Sequence, residues 1–160
     1  MEDKITEVLE IVCKRLKEKH IKYVIGGSAS LFLQGIGTGE ITDIDIMTTK
    51  ENAFKINKIF KEFEAKPVEY VESKLLRSYW GQLEIKGVKV DVMGEFSEKI
   101  KDRWINISDK RLKNHEYAKL EEMSIPVTKL GDHLGSYKTL NRKKDAYKVK
   151  EIEHFLARKK

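Results

Sequence analysis

Asp43 and Asp45 stand two residues apart in Ile-Thr-Asp-Ile-Asp-Ile, residues 41 to 46. Side chains alternate faces along a strand, so the two carboxylates point the same way, about 7 Å apart along the chain, while Ile44 and Ile46 point into a core. Adjacent carboxylates repel each other unless a cation sits between them. Hard divalent cations such as Mg²⁺ take carboxylate oxygens together with phosphate oxygens. A phosphate partner is foreshadowed upstream in Val-Ile-Gly-Gly-Ser-Ala-Ser, residues 24 to 30. Gly26 and Gly27 let a backbone approach a ligand closely, and Ser28 is expected to open a helix whose unpaired N–H groups favour an anion.

A third carboxylate follows in Gly-Val-Lys-Val-Asp-Val-Met, residues 87 to 93, where Asp91 lies on a strand whose valines face the other way. The run from Tyr79 to Ile85 ends at Lys86-Gly87, a pair suited to a two-residue hairpin turn, so the Asp91 strand is expected antiparallel to it. If that strand also neighbours the Asp43–Asp45 strand, three carboxylates converge. Two can then bridge a metal pair while the third activates an attacking hydroxyl. Each residue alone has a plainer reading. Ser28 can be an N-cap in an ordinary turn, and Asp45 or Asp91 can be a solvent-facing strand residue. Their order and context favour the site.

The series Gly-Gly-Ser, helix, Thr-Asp-Ile-Asp and a later single strand Asp resembles the nucleotidyltransferase superfamily, whose fold is shared with DNA polymerase beta. The resemblance implies transfer of a nucleoside monophosphate from a nucleoside triphosphate to an acceptor hydroxyl, with two Mg²⁺ ions, or Mn²⁺ in their place. It implies that Gly26, Gly27 and Ser28 hold the triphosphate, that Asp43 and Asp45 hold the metals, and that Asp91 is third ligand and general base. Residues 125 to 145, from Ile-Pro-Val-Thr-Lys to Asn-Arg-Lys-Lys-Asp, resemble the C-terminal signature of abortive-infection toxin nucleotidyltransferases. By that likeness Lys138 contacts the triphosphate, Arg142 and Lys143 line a basic loop, and Asp145 helps close the site. The chain departs from the pattern at Glu40, where relatives often carry arginine, and at Lys148, where they often carry an acid. Residues 95 to 124 are the least recognisable.

Composition agrees with one enzyme-sized domain over residues 1 to 160, with basic helices from 130 to 160. Proline occurs only at Pro67 and Pro126, and no linker or repeat divides the chain. Charged residues make up 36% of it, with two glutamines and one cysteine, a balance that points to a heat-adapted source. Cys13 sits among apolar neighbours and reads as a small buried hydrophobe. The first twenty residues are unlike a signal peptide and no apolar run approaches a membrane span, so a cytoplasmic protein is expected. The net charge of +6 lies wholly in residues 138 to 160, where nine Lys or Arg face three Asp or Glu. Such a surface attracts phosphates, whether of a nucleotide or of RNA.

Periodicity supplies the frame: an N-terminal helix on Ile5, Val8, Leu9, Val12 and Leu16, a strand from Tyr23, and a helix from Ser28 to about Gly35. Thr48 and Glu51 suggest a capping box for a helix to about Glu64. Strands are expected at Pro67 to Val71 and in a Ser78 to Met93 hairpin, then a brief helix or turn at Ser97 to Asp102. Weaker strand signals cover Trp104 to Ile107, Glu116 to Glu122 and Ile125 to Thr128. Two helices, about Leu130 to Leu140 and Asp145 to Arg158, close the chain. The class is α+β, with a mixed, mostly antiparallel sheet covered by helices.

None of the four histidines has ligand spacing. Asp132-His133 reads as a capping or surface pair, and Trp80 and Trp104 as buried or half-buried aromatics. The acceptor is left open among RNA, a protein hydroxyl and a small molecule. Two other classes stand beside the enzyme: a catalytically silent nucleotide-binding partner in a toxin–antitoxin pair, which Glu40 and Lys148 favour, and an RNA-binding module using the basic C-terminal face.

Overall fold

The structure, a computed structural model, describes residues 2–37 and 39–159. Its strands are β1 (Val24–Gly26), β2 (Asp43–Thr48), β3 (Glu64–Glu72), β4 (Leu76–Ile85), β5 (Val88–Ile100), β6 (Arg103–Asn106), β7 (Glu116–Leu120) and β8 (Met123–Val127). They form a sheet in the order β3-β4-β5-β2-β1-β8-β7, with β6 pairing β5. β1 runs parallel to β8 and β2 parallel to β5, while the other pairings are antiparallel. This is the mixed, mostly antiparallel sheet expected.

The helices are α1 (Glu2–Glu18), α2 (Gly27–Leu33), α3 (Lys50–Ile59), α4 (Ile107–Lys113), α5 (Leu130–Leu140) and α6 (Ala146–Arg158). The apolar stripe of α1, with Ala53, Ile56 and Phe60 at α3, packs against Ile44, Ile46, Leu83, Val90 and Val92 of the sheet. Those strand residues alternate with Asp43, Asp45 and Asp91, so burying one face of the sheet turns the carboxylates toward the other. Cys13 is buried in this core, as expected. A second cluster joins Leu31 and Ile36 beside α2 to Tyr137 of α5 and Ile152 of α6. It anchors the basic C-terminal helices next to the glycine-bearing turn.

Several local expectations give way to tertiary contacts. The α3 cap is Thr49, whose hydroxyl accepts from Asn52 N at 3.0 Å, because Thr48 is buried and donates to Lys22 O at 2.7 Å. The helix stops at Ile59, since a 3-10 turn at Lys61–Phe63 leads into β3. Gly94 permits the α3 N-terminus to lie on β5: a β-carbon there would come within 2.7 Å of the Ala53 side chain. Lys86 and Gly87 do form a two-residue turn, with φ of 51° and 81°. Ser97 to Ile100, expected as helix or turn, instead continue β5, because β6 returns alongside them after the turn at Lys101 and Asp102. Residues 107–113 form α4, which the sequence did not announce.

Candidate active site

The strand register sets the site. Asp45 of β2 is the direct parallel partner of Asp91 of β5, and Asp91 is the antiparallel partner of Gln82 on β4. Gln82 Nε2 donates to Asp91 Oδ1 at 2.8 Å, which holds that carboxylate in place. Gly26 caps α2, and Gly27, its first residue, adopts φ of 58° in the left-handed region. A β-carbon on Gly27 would lie 2.4 Å from Asp45 Oδ2, so any side chain there would be strained and would displace that carboxylate. Ser28 falls one residue inside the helix and is not its cap.

A cleft opens between this edge of the sheet and the α5–α6 corner. Gly27, Ser28, Asp43, Asp45, Asp91, Arg142 and Asp145 all line it, so it gathers the sequence-derived candidates from widely separated segments. Gly26 lies behind the lining, where a β-carbon would meet the Met47 side chain at 2.9 Å. Lys138 is not part of the wall: it is exposed, and its Nζ meets Glu153 of α6 at 3.2 Å. Lys143 is likewise outside the lining, whereas Lys144 and Lys148 are in it. The helical period explains the difference. Asp145 and Lys148, three residues apart, share a face, and Lys148 Nζ sits 3.6 Å from Asp145 Oδ1.

The acids are under electrostatic stress. Burial, then the charges of Asp91 and Asp43, push the Asp45 carboxyl up to about 7, and Lys148 opposes the rise. Burial also raises Asp91, with the Gln82 hydrogen bond acting against it. Asp145 is 1% exposed; its Oδ2 accepts from Arg142 Nε at 2.7 Å, and its Oδ1 has no hydrogen-bond partner.

Further wall residues escaped the sequence reading. Glu98, buried on the extension of β5, accepts from Ser136 Oγ of α5 at 2.6 Å, and burial raises its carboxyl. Arg111 of α4 is buried, donates through Nη2 to Asp132 O at 3.3 Å, and leaves Nε unpartnered. His133, read with Asp132 as a capping or surface pair, is instead 4% exposed: its Nε2 lies 2.9 Å from Ser30 Oγ, and burial pushes it down to about 3, so it is neutral. Lys148 could have been found by its spacing from Asp145; Arg111 and Glu98 stand in segments with no motif to mark them.

Among the described residues, no group of three His, Cys, Asp or Glu side chains is gathered tightly enough to hold a metal ion by itself. Mg²⁺ takes one or two carboxylates and completes its shell with water and substrate phosphates. The donors are hard carboxylate oxygens, raised first by burial and then by one another's charge, and a divalent cation among them would offset that repulsion.

Comparison with known proteins bears on family and fold. The family profile described as aminoglycoside-2''-adenylyltransferase matches residues 8–154. The Thermotoga maritima protein TM1012, a proposed nucleotidyltransferase, has a crystal structure that superposes with TM-score 0.82 at 31% identity, covering 99% of this chain and 96% of that one. The solution structure of the antibiotic-resistance factor ANT(2'')-Ia superposes with TM-score 0.64 at 12% identity, over 98% of this chain and 86% of that one. Its crystal structure in complex with adenylyl-2''-tobramycin gives TM-score 0.57 at 11% identity, over 94% and 88%. The last two likenesses are of fold alone. No curated protein matches the sequence significantly. The matches support the expected superfamily and lend no support to a toxin role.

Proposed function

The chain belongs to the aminoglycoside-2''-adenylyltransferase family and is a nucleotidyltransferase, and from that premise we propose that it joins a nucleoside monophosphate to the hydroxyl of a small-molecule acceptor at the Asp43–Asp45–Asp91 edge. The observation that carries the reading is the parallel pairing of Asp45 with Asp91 in a cleft whose opposite wall holds Arg142, Lys144 and Lys148. Carboxylates and cations lining one cleft suit a substrate that brings a polyphosphate and a metal together.

Asp43, Asp45 and Asp91 would hold Mg²⁺, which when bound offsets negative charge on the triphosphate and aligns its oxygens for in-line displacement. Asp91 accepts the proton of the acceptor hydroxyl, steered by the Gln82 amide on its other oxygen. The freed oxygen forms a bond to the α-phosphorus as the bond to pyrophosphate breaks. Arg142, Lys144 and Lys148 bind the phosphates and stabilise the leaving charge. Gly27 gives the backbone its close approach, and Ser28 adds a hydroxyl beside it.

An abortive-infection role would use the same chemistry with a protein or RNA hydroxyl as acceptor; a heat-adapted source is compatible with either. The test is to incubate the purified protein with each labelled nucleoside triphosphate, Mg²⁺ and separate small-molecule, protein and RNA acceptors. Pyrophosphate release with label on a small molecule, abolished in Asp91→Asn, is expected. Triphosphate binding with no release from any acceptor points to a silent binding protein. RNA binding without triphosphate binding points to the basic face alone, and either result overturns the proposal.

A further inference from the structure

Beside the carboxylates, the open face of the sheet turns apolar. The next outward-facing row consists of Met47 on β2, Met93 on β5 and Trp80 on β4, register partners in sequence across three strands. Trp80 and Met93 form the floor of a cavity of about 400 Å³, walled by Val71, Leu76 and Phe96. Leu76, Met93 and Phe96 also line the carboxylate cleft, so the two spaces share a wall two residues from Asp91. A volume of this size suits one ring-sized group or a disaccharide-sized molecule.

The charges around it are not those that a polycation requires. Within the lining, Glu72 and Arg77 face each other across β3 and β4, leaving no acidic surplus. On the surrounding surface Lys66 Nζ lies 5.1 Å from the Trp80 ring centre, and the Arg77 guanidinium and Lys99 Nζ lie 4.6 and 5.5 Å from that of Trp104. Glu69, the register partner of Trp80, and Glu72 are matched by Lys66 and Arg77, so an amino sugar carrying several ammonium groups would meet as many cations as carboxylates at this floor. A neutral ring would instead stack on Trp80 and displace water from methionine and phenylalanine.

We propose that this cavity is the acceptor subsite, and that it selects an uncharged aromatic or alicyclic ring compound whose hydroxyl extends toward Asp91, in preference to a polycationic aminoglycoside. The proposal rests on the nucleotidyltransferase reading of the carboxylate edge. In the reaction it implies, the ring hydroxyl loses its proton to Asp91 and bonds to the α-phosphorus while pyrophosphate departs.

Binding and transfer are tested separately on the full chain. In the binding arm, tryptophan emission is titrated with phenyl β-D-glucopyranoside, with tobramycin and with a short oligoribonucleotide, each in the presence of ATP and Mg²⁺; Trp80→Phe assigns the signal to Trp80 rather than Trp104. The neutral glucoside is expected to bind about tenfold or more tighter than tobramycin. Val71→Glu, an exposed change at the rim, should narrow or reverse that order by supplying a carboxylate. Tobramycin binding as tightly as the glucoside, or the oligoribonucleotide displacing it at lower concentration, overturns the proposal. In the transfer arm, pyrophosphate release is followed with the same compounds. Release favouring the glucoside supports both readings, whereas selective glucoside binding with no release from any acceptor upholds the subsite and counts against the transferase assignment.

Discussion

Asp45 is raised by burial and by the charges of Asp91 and Asp43, and its substitution separates function from stability. Its raised carboxyl makes it a stabilising group only while protonated: that contribution is present below the ordinary carboxylate value near 4 and is lost as pH rises through about 7. Asp45→Asn therefore removes a penalty that grows across this window. The variant should unfold at a higher temperature than the parent in metal-free buffer at neutral pH, with the gap shrinking toward pH 4. A lower melting temperature at neutral pH would show a structural aspartate. Lys148 makes the complementary prediction. It lines the cleft and faces Asp145, whereas Lys138 is exposed and paired with Glu153. Lys148→Ala should weaken nucleoside triphosphate binding by about 1.5 to 3 kcal/mol, the range for hydrogen bonds to charged groups, while Lys138→Ala changes it little. Calorimetric titration of both variants decides which lysine reaches the phosphates.

At the scale of elements, two contacts hold the cleft open in its present shape. The first is the β1–α2 turn, where Gly27 combines a left-handed backbone with contact against Asp45. Gly27→Ala meets both obstacles, so it should destabilise by more than the roughly 1 kcal/mol that a strained backbone alone costs, and weaken triphosphate binding as Asp45 shifts. Denaturant unfolding reads the first effect and titration the second; a neutral substitution would mean that the turn relaxes freely. The second contact is α5 on α2, through His133 and Ser30. Because burial lowers His133 to about 3, the unfolded chain binds the proton first as pH falls below about 6.5, and stability declines toward acid by at most about 1.4 kcal/mol per pH unit from this group. His133→Gln should flatten that slope relative to the parent in urea denaturation at about pH 7.5 and 4.5. Parallel curves would show that the histidine protonates in place.

At the scale of the molecule, the charge surplus and the carboxylate edge are brought to one opening by a second, smaller core. Leu31, Ile36, Tyr137 and Ile152 tie α2, α5 and α6 together, and that packing sets the basic corner opposite Asp45 and Asp91. Ligand binding should therefore be felt as global stability. ATP with Mg²⁺ is expected to raise the melting temperature by mass action, since it binds the folded chain alone, while ATP in a chelating buffer raises it far less. Equal shifts in the two buffers would remove the carboxylates from nucleotide binding.

The sequence by itself determined the elements whose signals are local or periodic. The α1 stripe, the Lys86-Gly87 turn and the alternation that sets Asp43 and Asp45 opposite Ile44 and Ile46 need only neighbours a few residues away, and each was legible. The α+β class followed from the order of those elements. Tertiary structure decided the rest, because the deciding contacts join distant segments. β5 runs on to Ile100 because β6 returns beside it, Thr48 leaves the cap because it is buried against Lys22, and His133 is interior because α5 docks it on Ser30 of α2. Glu98 and Arg111 reach the cleft by the same means, in a stretch without motifs. The choice between Lys138 and Lys148 shows the division most plainly: both are lysines on C-terminal helices, and only the docking of α5 and α6 onto Leu31 and Ile36 decides which amine faces the acids, since burial of an apolar face fixes where the opposite face points.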